Sequence, residues 1–205
     1  MAVAVRAPEL RITAADGSVI GDLEAIQGLW SAEQYFRLTE TTHRLMEFTH
    51  GRIEVLPSPT DNHQAILGIL LQVLHALLQP LGGVVSMSGL KLQIGPDRFR
   101  EPDLLALLDA ADPRRQNAYW LGADLVMEVV SADNPERDTR VKRAEYAEAG
   151  IPEYWIVDPA AATITVLRLA GKRYATHGVF RRGETATSAL LPGFAVAVDA
   201  VLDAQ

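Results

Sequence analysis

One glutamate constrains the fold of this chain more than any other residue, because it stands inside an otherwise apolar run. Leu125-Val126-Met127-Glu128-Val129-Val130 reads as a strand covered on both faces. A carboxylate in such a strand must be paired, coordinated or protonated, since burying an unpaired charge is costly. A second run of the same kind, Leu104-Leu105-Ala106-Leu107-Leu108, is opened by Pro102-Asp103, which puts another carboxylate at a strand mouth where water can reach it. If the two strands are neighbours, the carboxylates of Asp103 and Glu128 converge and repel. A hard divalent cation, a shared proton, or a separate ion pair for each acid would relieve that repulsion.

The elements around this pair predict a mixed sheet flanked by helices. Ser31 with Gln34 has the form of a capping box opening a short helix. Leu45–Phe48 and Arg52–Leu56 read as paired strands around His50-Gly51. Asp61 or Asn62 can cap a long helix in which Ile66, Ile69, Leu70, Val73, Leu74, Leu77 and Leu78 recur at helical spacing. Val84 to Ile94 reads as strand. The segment between Asp133 and Gly150 reads as helix, and Glu153–Pro159 as another buried strand, so strand, helix and strand follow one another as a crossover unit. Thr163–Leu169, Arg173–Val179 and Ala189–Val196 read as antiparallel strands, with a closing helical turn over Val198–Asp203. The organisation expected is an N-terminal arm or hairpin over 1–29 and one α/β domain over 30–205.

Composition narrows the classes. There is no cysteine, so any metal must be held by carboxylate, imidazole or carbonyl groups. A formal net charge of -7 argues against indiscriminate binding of polyanions, while leaving room for a local basic cleft. The apolar run Ala65–Leu71 falls short of a membrane span, and Met1–Leu10 lacks the apolar stretch of a secretory signal. A cytoplasmic protein with no membrane partner is therefore expected.

The cation for this site is expected on the helix after the Glu128 strand. Lys142 lies four residues after Asp138 and four before Tyr146, so the three share one helical face. A lysine near a phosphate can steady developing charge, and an ordinary salt bridge to Asp138 on a solvated helix is the plainer alternative. Tyr154 and Trp155 read as core aromatics and Ser131 as a turn or cap residue; His63 could approach the site, but a capping or surface role is the plainer reading.

Glu101-Pro102-Asp103, Glu128-Val129-Val130-Ser131, Arg137-Asp138 with Lys142 and Tyr146, and the string Ala149 to Asp158 together resemble the Uma-two family. That group belongs to the restriction-endonuclease-like proteins of the PD-(D/E)XK nuclease superfamily. The likeness runs from about Trp30 to the C-terminus and takes in Glu47, Gly51 and His63.

The resemblance implies a restriction-endonuclease-like fold and a magnesium-dependent (or manganese-dependent) endonuclease acting on DNA as a homodimer. Asp103 and Glu128 would hold Mg2+ together with the Val129 carbonyl, and Asp103, Glu128 and Lys142 would form the catalytic set. Glu47, Asp138 and Tyr146 are possible additions, Glu47 otherwise bridging to Arg44 or Arg52. The sequence departs from the superfamily in one place: Val130 stands where its lysine belongs. Lys142 is then the relocated lysine, with Lys91 as a lesser substitute. A catalytically inactive binding module on the same fold is the alternative, and a metal-free carboxylate-pair glycosidase is a third, for which no aromatic-rich groove speaks.

Overall fold

The computed structural model describes residues 11–13, 15–22, 24–42 and 44–205. In chain order the elements are β1 (Arg11–Thr13), β2 (Val19–Asp22), α1 (Ala32–Thr41), β3 (Met46–Thr49), β4 (Arg52–Val55), α2 (Asp61–Leu78), β5 (Val84–Met87), β6 (Lys91–Gly95), β7 (Arg98–Arg100), β8 (Leu104–Leu107), β9 (Tyr119–Trp120) and β10 (Leu125–Val129). After a π-helical turn at Arg137–Lys142 come α3 (Arg143–Glu148), β11 (Glu153–Asp158), β12 (Thr163–Ala170), β13 (Arg173–Arg181), β14 (Thr185–Thr187), β15 (Ala195–Ala197) and α4 (Val198–Leu202). Residues 1–10, and with them the expectation about a leader, lie outside the described residues.

The chain forms two compact units, residues 1–58 with 95–101, and residues 59–94 with 102–205. In the first, β1 and β2 pair antiparallel, and β3 pairs antiparallel with β4 and with β7. The capping box on α1 is present, Ser31 Oγ accepting from Gln34 N–H and the Gln34 side chain from Ser31 N–H. The core of this unit is aromatic: Tyr35 stacks on Phe48 at 5.3 Å and donates its hydroxyl to the Met46 carbonyl at 2.7 Å.

The second unit is built on a six-stranded sheet in the order β13-β12-β11-β10-β8-β5. β10 and β11 are parallel, joined by the π turn and α3 as the crossover that the sequence predicts; the other neighbours are antiparallel. Because side chains alternate along a strand, the sheet carries two cores. On one face α2 lays Ile66, Leu67, Leu70, Leu74 and Leu78 against Leu104, Met127, Trp155 and Val157, with α4 adding Val198, Val201 and Leu202. On the other face, Leu105, Val126, Val130, Tyr154 and Ile156 pack with Tyr146 and Ala147 of α3. With its 3-10 extension to Leu81, α2 is long and apolar enough to cross a membrane by length and composition alone. Its buried stripe is what packs this core.

Three local expectations are corrected. The long helix is capped by Thr60, whose hydroxyl accepts from His63 N–H, and not by Asp61 or Asn62, which are already helical. Val84–Ile94 is two strands, broken where Gly89 adopts φ +97 and Leu90 N–H turns back to the Met87 carbonyl. The expected strand over Ala189–Val196 shrinks to Ala195–Ala197, because the amides of Ala189 and Leu190 are drawn to the Glu153 carboxylate and are lost to any ladder.

Candidate active site

The site follows from register. Leu104 faces Met127 and Leu105 faces Val126 across the antiparallel β8–β10 pair, so one further step puts Asp103 opposite Glu128. Glu128 falls on the face covered by α3, the parity of Val126, while Asp103 lies in the bend just before β8. Glu128 is buried to 3% exposure and its Oε1 accepts two hydrogen bonds, from Lys142 Nζ at 2.9 Å and from the Tyr146 hydroxyl at 2.6 Å. Lys142, equally buried, also contacts Asp138 Oδ1 at 3.3 Å. The solvated salt bridge considered from sequence is therefore wrong on its environment: Lys142 and Asp138 do pair, but inside the protein.

Asp103 is held differently. Its Oδ2 accepts from the Val129 backbone N–H at 2.7 Å, and its Oδ1 lies 3.1 Å from Nε2 of His63. Burial would depress the His63 imidazole, but the hydrogen bond and charge of Asp103 outweigh it and hold the pKa above the usual value. Burial also pushes the Asp138 carboxyl above the ordinary range, against the pull of Lys142. Tyr154 donates its hydroxyl to the Asp138 carbonyl at 2.9 Å, and burial with the nearby charges of Glu128, Asp138 and Asp103 keeps that phenol protonated.

His63 is thus a site residue that sequence reasoning assigned to a bland role. The signal was there: His63 continues the buried stripe of Leu67, Leu70 and Leu74 into the first turn of α2. With Val129, Ser131, Pro135 and Asp158, it lines a cavity of about 240 Å³ at the C-terminal ends of β10 and β11, the end at which open α/β sheets bind ligands.

The other predicted residues fall as follows. Val130 points to the same face as Glu128 and is packed in the core, while an ammonium beside Glu128 is that of Lys142, on the overlying turn. Lys91 lies on β6, paired in register with Tyr119 of β9. Glu47 belongs to the other unit. There it is buried and bridged to Arg100 at 3.1 Å, also accepting from Glu101 N–H, a partner in place of the Arg44 or Arg52 expected. Among the described residues no three His, Asp or Glu side chains form a ready metal cage.

The profile of the Uma2 family, described as "Putative restriction endonuclease", matches residues 32–199. The chain belongs to the Uma2 family. Every residue of the Asp103–Glu128–Lys142 constellation lies within the matched span. Among solved structures, a "putative nuclease belonging to DUF820" from Anabaena variabilis aligns with a TM-score of 0.66 at 19% identity, covering 79% of this chain and 92% of that one. At that identity the likeness establishes the restriction-endonuclease-like fold of this Uma2 protein. A comparison with curated proteins finds no match.

Proposed function

We propose that this protein is a magnesium- or manganese-dependent endonuclease that hydrolyses phosphodiester bonds in DNA. Membership in a restriction-endonuclease-like family supports the reaction class. The observation that carries the reading is one acid within β10 and another at the mouth of its neighbour β8, with a buried ammonium on the first.

The donor set suits such a cation. Magnesium is usually bound through one or two carboxylates and keeps several waters, and here Asp103, Glu128 and the Val129 carbonyl are the groups that would hold it. When bound, the cation supplies Lewis acidity at the phosphate and lowers the pKa of water. The chain's own residues do the rest. Val129 N–H and His63 hold the two oxygens of Asp103, and the Tyr146 hydroxyl fixes Glu128. Lys142 offers a charge-assisted donor for a phosphate oxygen or the attacking water. A homodimer suits the cutting of two strands by two copies of one site.

A second reading, a silent binding module, draws on one feature: Glu128 Oε1 is already shared by Lys142 and Tyr146. Cleavage of supercoiled plasmid separates the two. The wild type nicks or linearises plasmid with Mg2+ or Mn2+ and stops on chelation. Asp103→Ala lowers the rate by about 10³-fold or more, the several kcal/mol that metal charge stabilisation is worth. A well-folded wild type that neither cuts DNA nor binds either ion leaves only the binding module.

A further inference from the structure

Asp138 is a buried acid beside Lys142 that the cleavage scheme does not use. Its side chain is almost completely enclosed, its carboxylate stands 3.3 Å from Lys142 Nζ, and its own carbonyl is tied down by Tyr154. Retaining a buried acid costs desolvation energy, and the backbone around it is unusual as well: Arg137–Lys142 is a π turn that continues directly into α3. At four-residue spacing Asp138, Lys142 and Tyr146 share one face of the turn and the helix that follows it. Asp138 and Tyr146 consequently end on the same inner side as Lys142, and Lys142 sits between the carboxylates of Glu128 and Asp138.

That arrangement resolves a conflict in the site. Glu128 Oε1 holds the Lys142 ammonium, yet the same carboxylate is a cation ligand in the nuclease reading on which this inference rests. An ammonium buried to this depth cannot lose its counter-charge without cost. The geometry points to Asp138 as a positioning residue: its carboxylate keeps the Lys142 ammonium in the site when Glu128 turns to a divalent cation. Asp138 touches neither phosphate nor cation in this scheme and acts through Lys142. Its i,i+4 spacing from Lys142 is what brings it within reach.

The test is a mutant cycle on Mn2+ affinity, measured on the full chain by titration calorimetry without nucleic acid. Asp138→Asn weakens Mn2+ binding by about 10- to 100-fold, the range for residues that orient a metal's ligands. The effect vanishes in the Lys142→Met background, where no ammonium remains to be held. Wild-type Mn2+ binding with an unchanged Asp138→Asn overturns the inference and leaves the nuclease reading standing. So does an equal loss in both backgrounds, which marks a merely structural role. No Mn2+ binding by the folded wild type sinks the nuclease reading and this inference with it. Should Asp138→Asn not fold, Asp138→Glu with and without Lys142→Met carries the same cycle, a change in affinity being expected only where Lys142 is present.

Discussion

Two buried glutamates stand on neighbouring strands and solve the same electrostatic problem in opposite ways. Glu153 opens β11 on the face packed by α2 and is fully enclosed. Its Oε1 accepts from Trp155 Nε1 at 2.7 Å and Ser188 Oγ at 2.6 Å, and its Oε2 from the amides of Ala189 at 2.6 Å and Leu190 at 2.7 Å. All four donors are neutral and two are backbone, so the carboxylate pins the 188–191 turn to the sheet. Glu128 lies towards the opposite end of β10, on the α3 face, and is held by two side chains, one of them an ammonium that has a second acid to turn to. The difference teaches which buried charge is structural. A carboxylate saturated by fixed neutral dipoles has nothing to exchange, while one held by a lysine with a second anchor can give up that bond.

Isosteric amides break the comparison most sharply. Glu128→Gln lowers plasmid cleavage by about 10³-fold, on the same metal-charge argument, while the chain remains folded. Glu153→Gln leaves cleavage per folded molecule unchanged but destabilises the protein by about 2 to 4 kcal/mol in urea unfolding, since its amide cannot accept from all four donors. Equal losses of cleavage in both variants would dissolve the distinction.

Lys142→Met strands Glu128 and costs about 3 to 5 kcal/mol, the usual effect of removing one partner of a buried pair. Combining it with Glu128→Gln costs less than the sum of the single changes, because position 128 then carries no charge to be stranded. A strictly additive double variant counts against a buried Glu128–Lys142 pair. Tyr146→Phe is milder, at about 1 to 2 kcal/mol from the lost hydrogen bond, because the ring keeps its edge contact with Tyr154 at 5.1 Å.

The smallest effect belongs to a surface acid. The Arg114 guanidinium and amide beside Asp112 hold its carboxyl below the ordinary carboxylate value. A depressed folded pKa contributes stability above the unfolded pKa and loses it as pH falls through the folded one. Wild type is therefore slightly more stable than Asp112→Asn at pH 7, and the gap closes on acidification below about pH 4. A gap that widens in acid contradicts the sign.

Much of the second unit was legible because burial on both faces leaves continuous apolar runs. The runs at 104–108 and 125–130 and the stretch 153–159 did become neighbouring strands, and the charged segment between Asp133 and Gly150 became their crossover. Glu128 announced itself by interrupting such a run. His63 did not, since a histidine in a first helical turn is an ordinary cap or surface residue until the helix is docked. The Ala189–Val196 segment misled because its apolar composition suits a strand, whereas its amides answer to Glu153, far away in sequence.

By itself, then, the order of residues determined that two acids in or at the mouth of a buried sheet had to be coordinated, paired or protonated, since a carboxylate cannot be left alone in low dielectric wherever the chain goes. It also determined the parity that places Glu128 beside Val126 and Val130 on one face. Only the tertiary structure decided how deeply that charge is buried and what else holds it, because both depend on distances between elements. The π turn, the inward Asp138 and the approach of His63 to Asp103 are properties of docking, and local sequence pattern carries no measure of how two packed elements finally meet.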